Sequence, residues 1–236
     1  MKQIKRIMNP IFICILAISL LLTGIPHSAI VMEAKAESVK SGNITEGLTW
    51  QYGSDGTLTI RGNGSMPDYT TVNNCYTGIT TDAPWGDYLS DITKVVVSGN
   101  VNNIGKCAFS DCTSIEQVSL SSSVKEIGQS AFARCTGLKS ISFPNTLVSI
   151  GEEAFRGCTG ITHVIIPDSV TIIGSGTFQA CTNLTDISLG KSISSIKSYT
   201  FSNCTKLANI EIPQNITSIG TYAFSLCSAI SELNIP

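Results

Sequence analysis

The chain predicts an α/β repeat solenoid: a right-handed coil of 23-residue units with a parallel β-sheet along one face, preceded by a small β-hairpin cap. Three observations carry that expectation. Cysteine recurs every 23 residues at Cys112, Cys135, Cys158, Cys181, Cys204 and Cys227. Phenylalanine keeps step three residues earlier, at Phe109, Phe132, Phe155, Phe178, Phe201 and Phe224, and isoleucine at Ile104, Ile127, Ile150, Ile173, Ile196 and Ile219. Apolar residues follow each cysteine at +3, +6 and +8. A period of this length marks units that stack, because one unit cannot bury its apolar face alone.

Residues 1–36 read as an export signal. Lys2, Lys5 and Arg6 form a basic start, an apolar run over 11–24 is broken only by Ser19 and Thr23, and Ala34, Lys35 and Ala36 make a small-residue cleavage site. The run is shorter than the ~18–20 residues that span a bilayer, so cleavage is expected, with no membrane span afterwards; the alternative is an uncleaved anchor, since Ile30 and Met32 extend the apolar character. Without those residues the chain carries 11 basic and 16 acidic side chains, a net charge of −5. That balance gives no electrostatic reason to bind nucleic acid. Hydrophobic residues at 42% against 14% charged residues exclude a disordered chain.

Residues 37–91 do not repeat. Leu48–Tyr52 and Thr57–Ile60 flank Gly53, Ser54, Asp55 and Gly56, the pattern of a β-hairpin. Turns around Pro67 and Pro84 each carry an aromatic, and Trp50, Trp85, Tyr69 and Tyr88 are the large apolar groups available. The first coil of a solenoid has an open edge, and these residues are expected to cover it. The repeats are expected over 92–236, their first strand opening with Ile92, Val95 and Val97.

One unit, residues 144–166, shows the logic. Pro144 and Asn145 make a corner, and Leu147 and Ile150 point inward. Gly151 permits a tight bend. Residues 152–157 suit about one and a half helical turns, with Ala154 and Phe155 inside. Cys158 ends them, and Ile161, Val164 and Ile166 point inward from a strand of period two. Like positions in stacked coils are expected ~4.8 Å apart, in a parallel sheet with right-handed crossovers. The phenylalanines then form an interior column, with small residues before them (Ala108, Ala131, Ala154, Thr177, Thr200, Ala223) leaving room.

The unit running through Pro167, Ser169, Val170, Ile173, Gly174, Phe178, Cys181, Leu184 and Ile187 resembles the BspA-like leucine-rich repeat family, also described as the Treponema pallidum type. Six copies match in register over about residues 92–236. The resemblance implies a leucine-rich-repeat horseshoe on a secreted or cell-surface protein, in a family associated with adhesion to host cells, matrix proteins or other microbes. The hairpin with Pro84 and Trp85 also resembles the segment that precedes such repeats. Some copies depart: Lys197 replaces the bend glycine, and Ser98, Ser121 and Gly190 stand where other copies have proline. Local loosening is expected there, with the coil retained.

The cysteines invite a disulfide reading in an exported protein, but stacked side chains point in parallel and suit S–S geometry poorly. They are read as free buried thiols filling apolar positions. Cys75 and Cys107 lie off the ladder, and a disulfide between them is left open. No metal or cofactor is expected: there is no C-x-x-C, and one histidine remains after residue 36.

The outward strand positions read Gln117, Ser140, His163, Asp186, Asn209 and Glu232, with a second row of Ser119, Ser142, Ile165, Ser188, Glu211 and Asn234. Ser140, His163 and Asp186 in a row suggest a hydrolytic triad, but parallel side chains without placed oxyanion donors do not make one, and no enzyme is expected. The candidate binding face is Gln117, Ser140, His163, Ile165, Asp186, Asn209, Glu211 and Glu232. The expected function is adhesion or ligand binding to an extracellular protein or glycan; the alternative is a non-catalytic spacer or targeting module of a longer surface protein. The last coil, ending at Pro236 without a polar cap, offers a surface for self-association.

Overall fold

The computed structural model describes residues 39–70 and 81–236. The export signal expected over 1–36 and Cys75 lie outside the described residues. Cys107 is disulfide-bonded; whether its partner is Cys75, left open from the sequence, lies outside the described residues.

Three antiparallel strands come first: β1 Lys40–Asn43, β2 Leu48–Tyr52 and β3 Thr57–Gly64. The β2–β3 hairpin forms where expected; β1 is additional. At its tip the Asp55 carboxylate accepts the Thr57 N–H at 3.0 Å and hydroxyl at 2.9 Å. Gly56 takes φ 78°, where a side chain is unfavourable. β3 then pairs in parallel with β4 Lys94–Val101 over eight residues, and β4 with β6 Gln117–Ser119. The hairpin is thus hydrogen-bonded to the repeat sheet as its first strands.

Three hydrogen-bonded ladders join the coils. The first is the expected sheet. After β6 it resumes with β9 His163–Ile165, β11 Asp186–Ser188 and β13 Asn209–Ile210. Residues 140–142, between β6 and β9, are not a paired strand. The interruption coincides with Phe143, the one aromatic at the +8 position, whose ring packs edge-on against Phe155 at 5.7 Å.

The second ladder is built from two-residue strands before the bend: β5 Asn103–Ile104, β7 Glu126–Ile127, β8 Ser149–Ile150 and β10 Ile172–Ile173, then β12 Ser195–Ile196 and β14 Ser218–Ile219. β5, β7, β8 and β10 form one parallel sheet, and β12 with β14 another. The break falls at Lys197. The glycines at that position have no left-handed φ. They are required by close approach: a Cβ on Gly174 would lie 2.4 Å from Glu152 N, and on Gly151 2.7 Å from Gln129 N. Lys197 carries that Cβ, and the backbone bond Gly174 N–H makes to Ile150 O at 2.8 Å has no counterpart there.

The third ladder replaces the helical turns expected over 152–157. No α-helix occurs among the described residues. Instead the residues two before and two after each phenylalanine are left-handed, as at Ser130 (φ 53°) and Arg134 (φ 60°) around Phe132. A helix would spend its N–H groups on its own carbonyls. The alternation turns them toward the next coil: Ser130, Phe132 and Arg134 donate to Glu152, Ala154 and Arg156 carbonyls at 2.7–2.8 Å. A left-handed non-glycine residue costs roughly 1–2 kcal/mol, so the conformation persists because three bonds form at every coil step.

Inside, the phenylalanine rings stack at centroid separations from 5.2 Å (Phe109–Phe132) to 6.0 Å (Phe178–Phe201). Phe109 to Phe201 are buried and Phe224 is partly so. Trp85 extends the column, stacked on Phe109 at 5.6 Å. It also donates through Nε1 to Ala108 O at 2.9 Å, while Tyr69 N–H donates to Lys106 O at 2.9 Å. These are the carbonyls a preceding coil would satisfy. The six ladder cysteines are free and buried. They are more than small apolar fillers: Cys135, Cys158, Cys181, Cys204 and Cys227 each donate Sγ–H to the phenylalanine carbonyl 26 residues earlier, at 3.0–3.2 Å.

Candidate functional site

The parallel register of β9, β11 and β13 sets His163 beside Asp186 and Asp186 beside Asn209. Strand alternation sends the side chains between them, Val164 and Ile187, into the core and leaves these three facing out. The outward groups bond to one another. His163 Nε2 lies 3.2 Å from Asp186 Oδ2, and Asn209 Nδ2 donates to Asp186 Oδ1 at 2.6 Å. Thr185 Oγ1 donates to Asp186 Oδ2 at 2.6 Å, and Thr162 Oγ1 sits 2.8 Å from His163 Nδ1. The hydroxyl of Thr185 and the amide of Asn209 hold the Asp186 carboxyl below its ordinary value of 3.8, so it is ionised at neutral pH.

Over this row lies an open groove of about 850 Å³. His163, Ile165, Asp186, Asn209 and Glu211 line it together with Lys191. Ile165 is 72% exposed, where the same strand position on neighbouring coils is serine or glutamate. Glu211 is exposed and forms no ion pair among the described residues. Leu189, Ile212 and Pro213 supply aliphatic wall.

The other candidate residues lie apart. Gln117 pairs with Lys94 at the far end of the sheet. Ser140 and Glu232 are exposed but outside paired strands and outside the groove. The histidine bridges Thr162 and Asp186, and Ser140 is not among its partners. The nearby Thr185 and Asp186 N–H groups both donate to Thr162 O. Lys191, Leu189, Ile212 and Pro213 were not expected from sequence. They follow the strands, and only the return of the chain brings them to the groove. Thr162 and Thr185 carried a signal: both immediately precede the polar outward residue of their strand. Among the described residues no cluster of three ligating side chains could hold a metal, and no helix is long and apolar enough to cross a membrane.

A family model described as BspA type leucine rich repeat region matches in six copies, over residues 87–166 and 125–236. No curated protein matches the chain. Among solved structures, a T. pallidum leucine-rich repeat protein is 24% identical, with a TM-score of 0.61, covering 81% of this chain and 92% of that one. A leucine-rich repeat protein from Bacteroides ovatus is 29% identical, TM-score 0.63, covering 82% of this chain and 53% of that one. A protein from Faecalibacterium prausnitzii described as a leucine rich cell surface protein is 29% identical, TM-score 0.58, covering 84% and 55%. This chain therefore spans about half the length of the latter two.

Proposed function

Because this chain belongs to the BspA-type leucine-rich repeat family, we propose that it is an exported, surface-associated interaction protein that binds an extracellular partner through the open face of its sheet. The observation that supports this most is the groove over β9, β11 and β13, where five of the outward residues meet. Solenoids bind along extended faces rather than in enclosed pockets, and an exposed isoleucine among polar neighbours is the kind of apolar group a partner covers. A surface location is supported by the F. prausnitzii relative, which is described as a cell surface protein.

The test is saturable binding of the full chain to immobilised matrix proteins, glycans and host cells, beside the variant His163→Ala, Asp186→Ala, Glu211→Ala. The three side chains are on the outer face, so the variant is expected to keep the circular dichroism of the parent. Binding lost in the folded variant supports the reading. Binding retained in full moves the contact elsewhere, and no binding by either protein favours a spacer role.

A further inference from the structure

We infer that the groove takes a polypeptide rather than a glycan, seating an aliphatic side chain on Ile165 and a cationic side chain between Asp186 and Glu211. This rests on the sheet-face reading above and narrows it.

No phenylalanine, tyrosine or tryptophan lines the groove. Sugar rings present C–H faces that pack best on the electron-rich face of an aromatic ring, and the wall here is aliphatic: Ile165, Leu189, Ile212 and Pro213. His163, Asp186 and Asn209, the central row of the groove, are already joined to one another and to Thr162 and Thr185 at 2.6–3.2 Å. The groups with most capacity for an outside partner are therefore the charged side chains beside that row, Glu211 and Lys191, and the polar Ser188 and Gln214. A carboxylate offers about four acceptor sites; three on Asp186 are engaged, leaving one for a donor from outside.

Charge points the same way. Two carboxylates, Asp186 and Glu211, line the groove with one lysine, Lys191. The exported chain as a whole would carry −5, which steers cations toward it. Ile165 stands one strand from Ser188 in the paired register, with Asp186 on the same strand as that serine. An aliphatic and a basic side chain a few residues apart on one extended segment reach both places.

The experiment selects binders to the full chain from a displayed random peptide library and, in parallel, screens the full chain on a glycan array. Recovered peptides should combine Leu, Ile or Val with Lys or Arg. Ile165→Ser should weaken a selected peptide about tenfold or more, as loss of a central contact does. Asp186→Asn with Glu211→Gln should weaken it comparably and flatten its salt dependence, while Ile165→Ser leaves the salt slope intact. Glycan binding lost in the Asp186→Asn, Glu211→Gln variant would overturn the inference and leave the sheet-face reading standing. Peptides lacking basic residues, or insensitive to Ile165→Ser, would also overturn it. Saturable binding to neither probe overturns both.

Discussion

Cys158 shows how much a single side chain does here. Its Sγ–H reaches Phe132 O at 3.0 Å inside a dry core, and burial pushes its thiol well above the ordinary value of 9.0. The proton that makes the bond is therefore the one the environment retains. Cys158→Ala should cost about 0.5–1.5 kcal/mol for the lost hydrogen bond, since Phe132 O keeps the Cys135 N–H as a donor, read from chemical denaturation. The six thiols should resist alkylation in the native protein and react on unfolding. Glu153 is the opposite case. It sits at φ 52°, and Arg156 Nε is 3.9 Å from a carboxylate oxygen that has no hydrogen bond. The ion pair would lower its value and burial raises it; burial wins, leaving it above 4.5. The folded state thus favours the protonated acid, and the stability it supplies at low pH is lost as pH rises through the folded value. Glu153→Gln should raise the thermal midpoint at pH 7 and lose that advantage below 4.5. The cysteine spacing was legible in sequence as a buried ladder. Its hydrogen bonds were not, because the acceptor lies one coil away.

At the scale of elements, inward apolar positions and strand alternation were readable because both follow from periods within one unit. The left-handed turns were not. Local preference at 152–157 favours a helical turn, and only the neighbouring coil's carbonyls reverse it. The bend glycine was read as a turn residue, whereas the backbone packed against it is what forbids a Cβ. Gly174→Ala should accordingly cost about 1–3 kcal/mol by overpacking, far more than alanine for glycine on an open bend. Lys197→Gly should join the two halves of the second ladder, seen as slower amide exchange over 194–198. Phe155→Ala should cost about 3–5 kcal/mol, and Phe224→Ala less, since that ring is only partly buried. Phe143 marks another limit of sequence reasoning. It satisfies the apolar pattern, yet the strand beside it is unpaired, which removes Ser140 from the row it was expected to join.

Across the whole molecule, the segment before the repeats supplies what a preceding coil would. β3 extends the sheet, Asn103 is bonded both ways to Met66, and Trp85 with Tyr69 serves the turn ladder. Trp85→Ala should therefore destabilise by about 3–5 kcal/mol, with exchange rising first in the earliest coil. The outward face is not uniform along the solenoid. His163, Asp186, Asn209 and Glu211 converge on one groove while Gln117 and Glu232 stand outside it. That unevenness was invisible in the repeat pattern, which treats all six coils alike. The most direct measurement is a coil-by-coil scan. Gln117, Ser140, His163, Asp186, Asn209 and Glu232 are each changed to alanine in the full chain, and affinity for a partner is plotted against coil number. Losses concentrated at His163, Asp186 and Asn209, with the other three near the parent, are the predicted result. A flat profile, or losses centred on Gln117 or Glu232, would contradict a binding face set by the groove.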